Sequence, residues 1–155
     1  MESIKLNTME LVYFDKENEE HLRYLKSLLS DKNIISRFQG ILPALVSKNS
    51  FFDKGFFIRY ADEYIGCVIF GKYNSDEKNV YIRGFAIDKN HRGVMVGEHR
   101  LAQIADDEIT KYIFNTYPEV SSILITVSPE NGAGNKSAIR YGYSHVSDTR
   151  YSKSR

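Results

Sequence analysis

Two periodicities divide the chain. In "NEEHLRYLKSLLS", Leu22, Leu25 and Leu29 recur at helical spacing, and Ser30 to Asn33 break the pattern. A second helical set, Ile34, Phe38, Ile41, Leu42 and Leu45, runs through "IISRFQGILPALV", where Gly40 and Pro43 predict a bent or interrupted helix. A short strand is expected ahead of both, around Leu11 to Phe14. Three strand-like runs follow, "FFIRY", "YIGCVIFGKY" and "VYIRGFAID", separated by the polar turns "ADE" and "NSDEKN", and they predict an antiparallel meander. In the middle run Tyr64, Val68 and Phe70 fall on one face and Ile65, Cys67 and Ile69 on the other. Both faces are therefore expected to be buried, with helices on two sides of the sheet.

From Gly97 the period becomes 3.6. Leu101, Ile104, Ala105, Ile109, Tyr112 and Ile113 form one stripe, with Arg100, Gln103, Asp106, Asp107 and Lys111 elsewhere, and this helix ends near Tyr117-Pro118. "SSILITV" reads as a buried strand, and "SPENGAGNKSAIRYGY" as a loop, a short helix and a glycine stop. After Gly142, "YSHVSDTRYSKSR" is expected to supply one strand and a frayed basic tail over about residues 150–155. That leaves an open sheet edge, either lacking its last strand or taking one from a partner, for which a second copy in a homodimer is one source. Arg150, Lys153 and Arg155 in the tail read as solvated, with phosphate contact as the alternative.

Composition narrows the class. With 155 residues, 42% hydrophobic and 26% charged, the chain is expected to form a single domain over 1–155. The 21 basic and 20 acidic residues nearly cancel, so no global field would hold the protein on nucleic acid or an anionic membrane. Any bound anion must be held by local geometry. The N-terminus lacks a basic start followed by a long apolar run, and no stretch reaches about 18 consecutive apolar residues, so a soluble, cytoplasmic protein is expected. Cys67 has no cysteine to pair with and apolar neighbours, which fits a buried structural thiol better than a nucleophile. The histidines at 21, 91, 99 and 145 show no metal-ligand spacing, and no metal is expected.

Chemistry concentrates at "FAIDKNHRGVMVGEHRL", where a strand runs out, an irregular stretch follows and the long helix begins. A helix start presents unpaired N–H groups and the positive end of the macrodipole, a setting that suits a phosphate. The dipole contributes only about 0.3 to 1 kcal/mol, so several converging N–H bonds would have to carry the affinity. Gly93 and Gly97 keep side chains away and Arg92 adds charge. Glycine at a helix start is also ordinary loop punctuation, so this stretch alone leaves both readings open.

The segment from Tyr81 to Leu101 resembles the acyl-coenzyme A motif of the GNAT N-acetyltransferase superfamily. Arg92 and Gly97 match the first and last positions of its Arg/Gln-x-x-Gly-x-Gly/Ala loop, and "GFAIDKNHRG" resembles the approach to it. Separately, Asn131, followed eleven residues later by Gly142-Tyr143, resembles the family's Asn…Gly-Phe element, particularly in the branch that acetylates ribosomal-protein N-termini. The resemblance extends from Leu11 to His145 in element order. It implies an α/β (α+β) fold with a mixed, mostly antiparallel central sheet of roughly six to seven strands, helices on both faces, and a splay at the acyl-CoA cleft. It also implies acetyl-CoA as co-substrate. The backbone of Phe85, Ala86 and Ile87 would pair with the pantetheine arm, the loop Arg92, Gly93, Val94, Met95, Val96, Gly97 and Glu98 would wrap the pyrophosphate, and Asn131 would line the far side. An amine then attacks the thioester carbonyl directly, with the N–H of Ile87 or a neighbour as oxyanion donor.

Three positions depart from the family pattern. Met95 stands in place of the middle glycine, and a methionine does not adopt positive φ cheaply. Tyr81 occupies the strand position where many relatives carry a glutamate base, although a tyrosine is a poor base at neutral pH. Ala138 falls where a tyrosine acid is usual, and Tyr141, three residues later, is expected about 300° further round the helix. Tyr81 and Tyr141 are the catalytic candidates. His91, His145 and Glu63 are alternative proton carriers, each weighed against a structural or solvated role. The first two helices and the loop Ser47 to Lys54 would form the acceptor side, where "VSKNSFFDKG" has no acidic cluster to announce a polyamine. The expected acceptor is a peptide N-terminus or small primary amine; a non-catalytic acyl-CoA-binding module and an interface-forming subunit are the other readings.

Overall fold

Alternation along the chain is converted into one large sheet in the computed structural model, which describes residues 3–38, 41–48 and 51–155. The chain runs β1 (Ser3–Lys5), β2 (Met9–Val12), α1 (Glu19–Leu29), α2 (Lys32–Arg37), α3 (Ile41–Leu45), β3 (Gly55–Tyr60), β4 (Glu63–Asn74) and β5 (Asn79–Ile87). It continues through β6 (Met95–Val96), β7 (His99–Arg100), α4 (Leu101–Thr116), β8 (Ser122–Thr126), α5 (Gly132–Arg140), β9 (Ser144–Ser147) and β10 (Arg150–Ser154). Eight strands form an open sheet in the order β1-β2-β3-β4-β5-β8-β10-β9, one more than the upper expectation. Every neighbouring pair is antiparallel except β5 and β8, which are parallel.

Helices cover both faces, as the two-sided burial of β4 requires. On one face α4 presents Leu101, Ala105, Ile109 and Ile113 to Phe56, Val68, Phe70 and Val80. On the other, Leu25, Leu28, Ile34, Phe38, Ile41 and Leu45 from α1 to α3 cover Phe57, Cys67 and Ile69. Burial pushes the free Cys67 thiol up to about 12, as fits an inert structural thiol. Asn18 caps α1 by accepting from the amides of Glu20 and His21, and the acidic Glu19 and Glu20 suit its first turn. The buried stripe of α1 is His21, Leu25 and Leu28, while Leu22 and Leu29 are exposed, so the helix is rotated from the face that leucine spacing alone predicts. His21 takes part because Nδ1 accepts from Asp15 N and Nε2 meets Tyr64 Oη, each at 2.9 Å, which satisfies the ring inside an apolar layer. The interruption expected near Gly40 and Pro43 falls between α2 and α3; Gly40 itself lies outside the described residues.

The expected frayed tail is instead a strand. β10 lies between β8 and β9, with Tyr151 buried opposite Ile125. Lys153 reaches Asp106 on α4, and Arg155 donates to the carbonyls of Phe114, Tyr117 and Val120 around the helix end. "RYSKS" buries one apolar side chain, so its strand character rests on ladder bonds and on these cations rather than on alternation. The gap that called for a partner's strand is filled by the chain itself.

Candidate active site

The parallel pairing of β5 with β8 extends only from Asn79 to Tyr81 against Ser122 to Leu124. Just beyond it, β5 carries a bulge: Ile69 of β4 faces Gly84 while Phe70 faces Ile82, which leaves Arg83 as the extra residue. A bulge bends its strand and increases the local twist. From here β5 and β8 diverge around a cleft of about 650 Å³, with Phe85, Ala86 and Ile87 on one wall and Ile125, Thr126 and Val127 on the other.

Strand register decides which backbone groups face that space. Asp88 N donates to Ile65 O at 2.8 Å, so residues 65 and 88 form a hydrogen-bonded pair. Alternation then makes Cys67 and Ala86 the next such pair, and turns the N–H and C=O of Phe85 and Ile87 away from β4 toward the cleft. Two of the three expected backbone positions therefore turn polar groups toward the cleft, although the Ile87 carbonyl is taken by Arg92 Nε, and Ala86 belongs to the ladder. The Ala86 carbonyl lies so close to Gly66 that a Cβ there would collide with it. At Gly84 a Cβ would run into the ring of Phe38, which packs against β5 and, with Ile34, lines the cleft with apolar surface.

The loop after β5 is organised by Asp88, which sequence reading did not single out. Its carboxylate accepts from Tyr24 Oη at 2.8 Å and from the amides of Asn90 and His91, and lies 2.6 Å from His91 Nδ1. His91 Nε2 lies 3.2 Å from Glu63. Burial by itself would lower the His91 pKa, but the hydrogen bonds and charges of Asp88 and Glu63 raise it, and contact with an acceptor at both nitrogens suits the imidazolium.

The long helix begins at Leu101, not near Gly97. Met95 and Val96 pair with Arg100 and His99 in a small hairpin whose turn starts at Gly97, φ +64°, where a two-residue turn of type II′ takes glycine. The amides of Arg92 and Val94 are engaged by the carbonyls of Asp88 and His91. Of the expected pyrophosphate loop, Arg92 and Gly93 line the cleft, whereas Val94, Met95, Val96, Gly97 and Glu98 lie outside its wall. Met95 is 53% exposed and leaves the cleft open. Arg92 donates through Nε to Ile87 O at 3.0 Å and pairs through Nη2 with buried Asp31 at 2.8 Å, which joins the loop to the cap of α2. Burial alone would raise the Asp31 pKa; hydrogen bonds from Asn33 and Arg92, with the Arg92 charge, hold it below the usual carboxylate value. Leu101 N is capped by Val94 O, and α4 has no side-chain cap, so the anion-receptive first turn lies at Arg100 and Ala102 on the cleft wall. The two-residue strands that displace it have no periodicity to reveal them.

The far wall comes from α5. Asn131 is its N-cap and accepts from Gly134 N at 2.9 Å. Ala138 and Tyr141 both line the cleft, because a rotation of about 300° places residues three apart on neighbouring faces; the expectation that Tyr141 is turned away is corrected. Burial raises the Tyr141 pKa against a smaller lowering by its hydrogen bond to Ser137, so its hydroxyl stays protonated at neutral pH. Tyr81 is not on this wall. It lines a shallow depression with Gly71, Tyr73 and Arg83, under the Arg150 guanidinium at 5.8 Å. His145 is on β9 against Tyr151, also away from the cleft. In the loop Ser47 to Lys54, where Asn49 and Ser50 lie outside the described residues, Lys54 is buried and donates to the Leu45 and Ser47 carbonyls, and Asp53 lies 3.8 Å from Arg83.

Residues 14–113 match the model of the acetyltransferase (GNAT) family. A search of curated proteins finds no sequence match. Among solved structures, the chain is similar to RimL, a ribosomal-protein alpha-N-acetyltransferase in complex with coenzyme A, with a TM-score of 0.71 at 17% identity over 99% of this chain and 98% of that one. It is also similar to the microcin self-immunity acetyltransferase MccE in complex with acetyl-CoA and AMP, with a TM-score of 0.64 at 18% identity over 99% and 97% of the two chains. A chimera of the spermidine N-acetyltransferase SpeG from Vibrio cholerae with hSSAT gives a TM-score of 0.69 at 15% identity over 96% of each chain.

Proposed function

The chain belongs to the acetyltransferase (GNAT) family, and on that premise we propose that it is an acetyl-CoA-dependent N-acetyltransferase acting on a primary amine, by direct attack and in the cytoplasm. The observation that carries the reading is the open edge of β5, where the backbone groups of Phe85 and Ile87 face a cleft wide enough for an amide-bearing arm to pair as another strand would. The loop end of the same cleft carries Arg92, Arg100 and His91, with Arg92 paired to Asp31 and His91 to Asp88 and Glu63, beside a first turn of α4 that has no side-chain cap. Acetyl-CoA, when bound, supplies the acetyl thioester.

The chain's own contributions follow from position. The N–H of Phe85 or Ile87 stabilises the charge that builds on the carbonyl oxygen as the amine adds. Phe38, Ile34 and the aliphatic residues of β8 keep water from the thioester. Tyr141 gives its hydroxyl proton to the departing sulfur, and the proton released by the amine restores it through water. Asn131 fixes the start of α5, and with it the position of Tyr141.

Titration calorimetry with acetyl-CoA, followed by thiol release against a panel of amines, tests the proposal. Saturable binding with amine-dependent thiol release is expected, and the absence of binding would overturn it. A non-catalytic acyl-CoA binder is the second reading, favoured by the location of Tyr81 outside the cleft; tight binding without turnover would select it.

A further inference from the structure

We infer that the acceptor is a primary amine carrying an anionic group, a carboxylate or phosphate, which Arg83 receives at the end of the cleft away from the loop. The inference rests on the acetyl-transfer reading above. Arg83 is the extra residue of the β5 bulge, and a bulge re-aims a side chain out of the strand's alternation. It lines both the cleft and the shallow depression beside it, which makes the two one continuous surface.

Its charge is weakly compensated. The side chain is 53% exposed and meets Asp53 through one nitrogen at 3.8 Å, a contact of the kind that contributes little in water. Apart from Asp53, the charges lining and overhanging the depression are of the same sign, with Lys72 on its wall and Arg150 over the Tyr81 ring. Among the described residues lining the two surfaces, the only carboxylate is Asp106, which is engaged by Lys153 and Tyr143. A polyamine entering here meets cations without a free counter-charge. An amine with its own anion meets a planar guanidinium suited to two parallel hydrogen bonds. The donor's phosphates do not claim this arginine, because the cations at the loop end lie beyond Ile87, itself four residue steps along the strand from Arg83, a span of roughly 13 Å.

The test compares acceptors in the full chain with acetyl-CoA: acidic amino acids and peptides beginning with aspartate in one arm, phosphoethanolamine in a second, and ethanolamine and spermidine as neutral and cationic controls. At least one anionic arm is expected to exceed ethanolamine in kcat/KM by about tenfold or more. Arg83→Glu should raise the KM of that acceptor by a similar factor with a smaller change in kcat, and Arg83→Lys, which keeps the charge but not the paired hydrogen bonds, should recover only part of the loss. Calorimetry keeps the two readings apart, since the Kd for coenzyme A should be the same in wild type and both variants. Preference for spermidine, no acceptance of an anionic amine, or an unchanged KM in Arg83→Glu would overturn the inference while leaving donor binding intact. Failure of the wild type to bind coenzyme A would overturn both.

Discussion

Lys153 Nζ lies 2.8 Å from Asp106 Oδ2, an ion pair buried between β10 and α4 at the back of the cleft. Tyr143 Oη donates to the other oxygen of the same carboxylate at 3.1 Å, and the Lys153 ammonium sits 4.6 Å from the centre of the Tyr143 ring. Asp106→Ala leaves this largely buried cation without its counter-charge, with only the Thr110 hydroxyl nearby, and should destabilise the fold by about 3–5 kcal/mol in chemical denaturation. Lys153→Met keeps the packing but strands the carboxylate, and should also destabilise. In a double-mutant cycle the losses should fall short of their sum, because each substitution breaks the same contact.

Tyr141 and Tyr81 separate cleanly in a rate assay. Tyr141→Phe should lower kcat by on the order of 10²-fold with little change in acceptor KM, the signature of a lost proton donor. Tyr81→Phe, outside the cleft, should leave kcat within about twofold. Equal losses in both variants would reject the assignment of the acid to Tyr141.

Gly66→Ala places a methyl group against the Ala86 carbonyl, so β5 must shift. A cost of about 1–3 kcal/mol is expected from this overpacking. Because the displaced strand presents Phe85 and Ile87 to the cleft, coenzyme A affinity should fall by more than global stability implies. Calorimetry on variant samples shown to be folded by circular dichroism provides the measurement.

His91 makes stability depend on pH in a predictable direction. Burial opposes its charge, but Asp88 and Glu63 prevail and its folded pKa lies above the usual value. Its contribution is then fully present below the unfolded histidine pKa of about 6.5 and is lost as pH rises through the higher folded value. Urea unfolding followed from about pH 5.5 to 9 should show that loss in wild type, and His91→Gln should remove it.

Much of this arrangement is legible in the chain, and the parts that are not share a cause. The α4 stripe, the β3–β5 meander and the divergence after Tyr81 follow from period and from family motifs, because each depends on neighbours in sequence. Asp31, Asp88 and Asp106 look like ordinary surface carboxylates; only the tertiary fold gives Asp31 and Asp106 their partners Arg92 and Lys153, and brings Tyr24 to Asp88 beside its near neighbour His91. The hairpin at Met95 to Arg100 is too short to impose a period, so the apolar pattern of α4 is read three or four residues too early. The strand at Arg150 to Ser154 is masked by composition, since Lys153 and the adjoining Arg155 face a carboxylate and carbonyl oxygens instead of water.

The early end of the β5–β8 ladder has a practical result. A molecule that completes those unused backbone edges becomes part of the architecture and stabilises it by mass action, by about 2.7 kcal/mol at a hundredfold excess over Kd. A melting-temperature screen across thioesters of different chain length would rank the natural acyl donor before any acceptor has been identified.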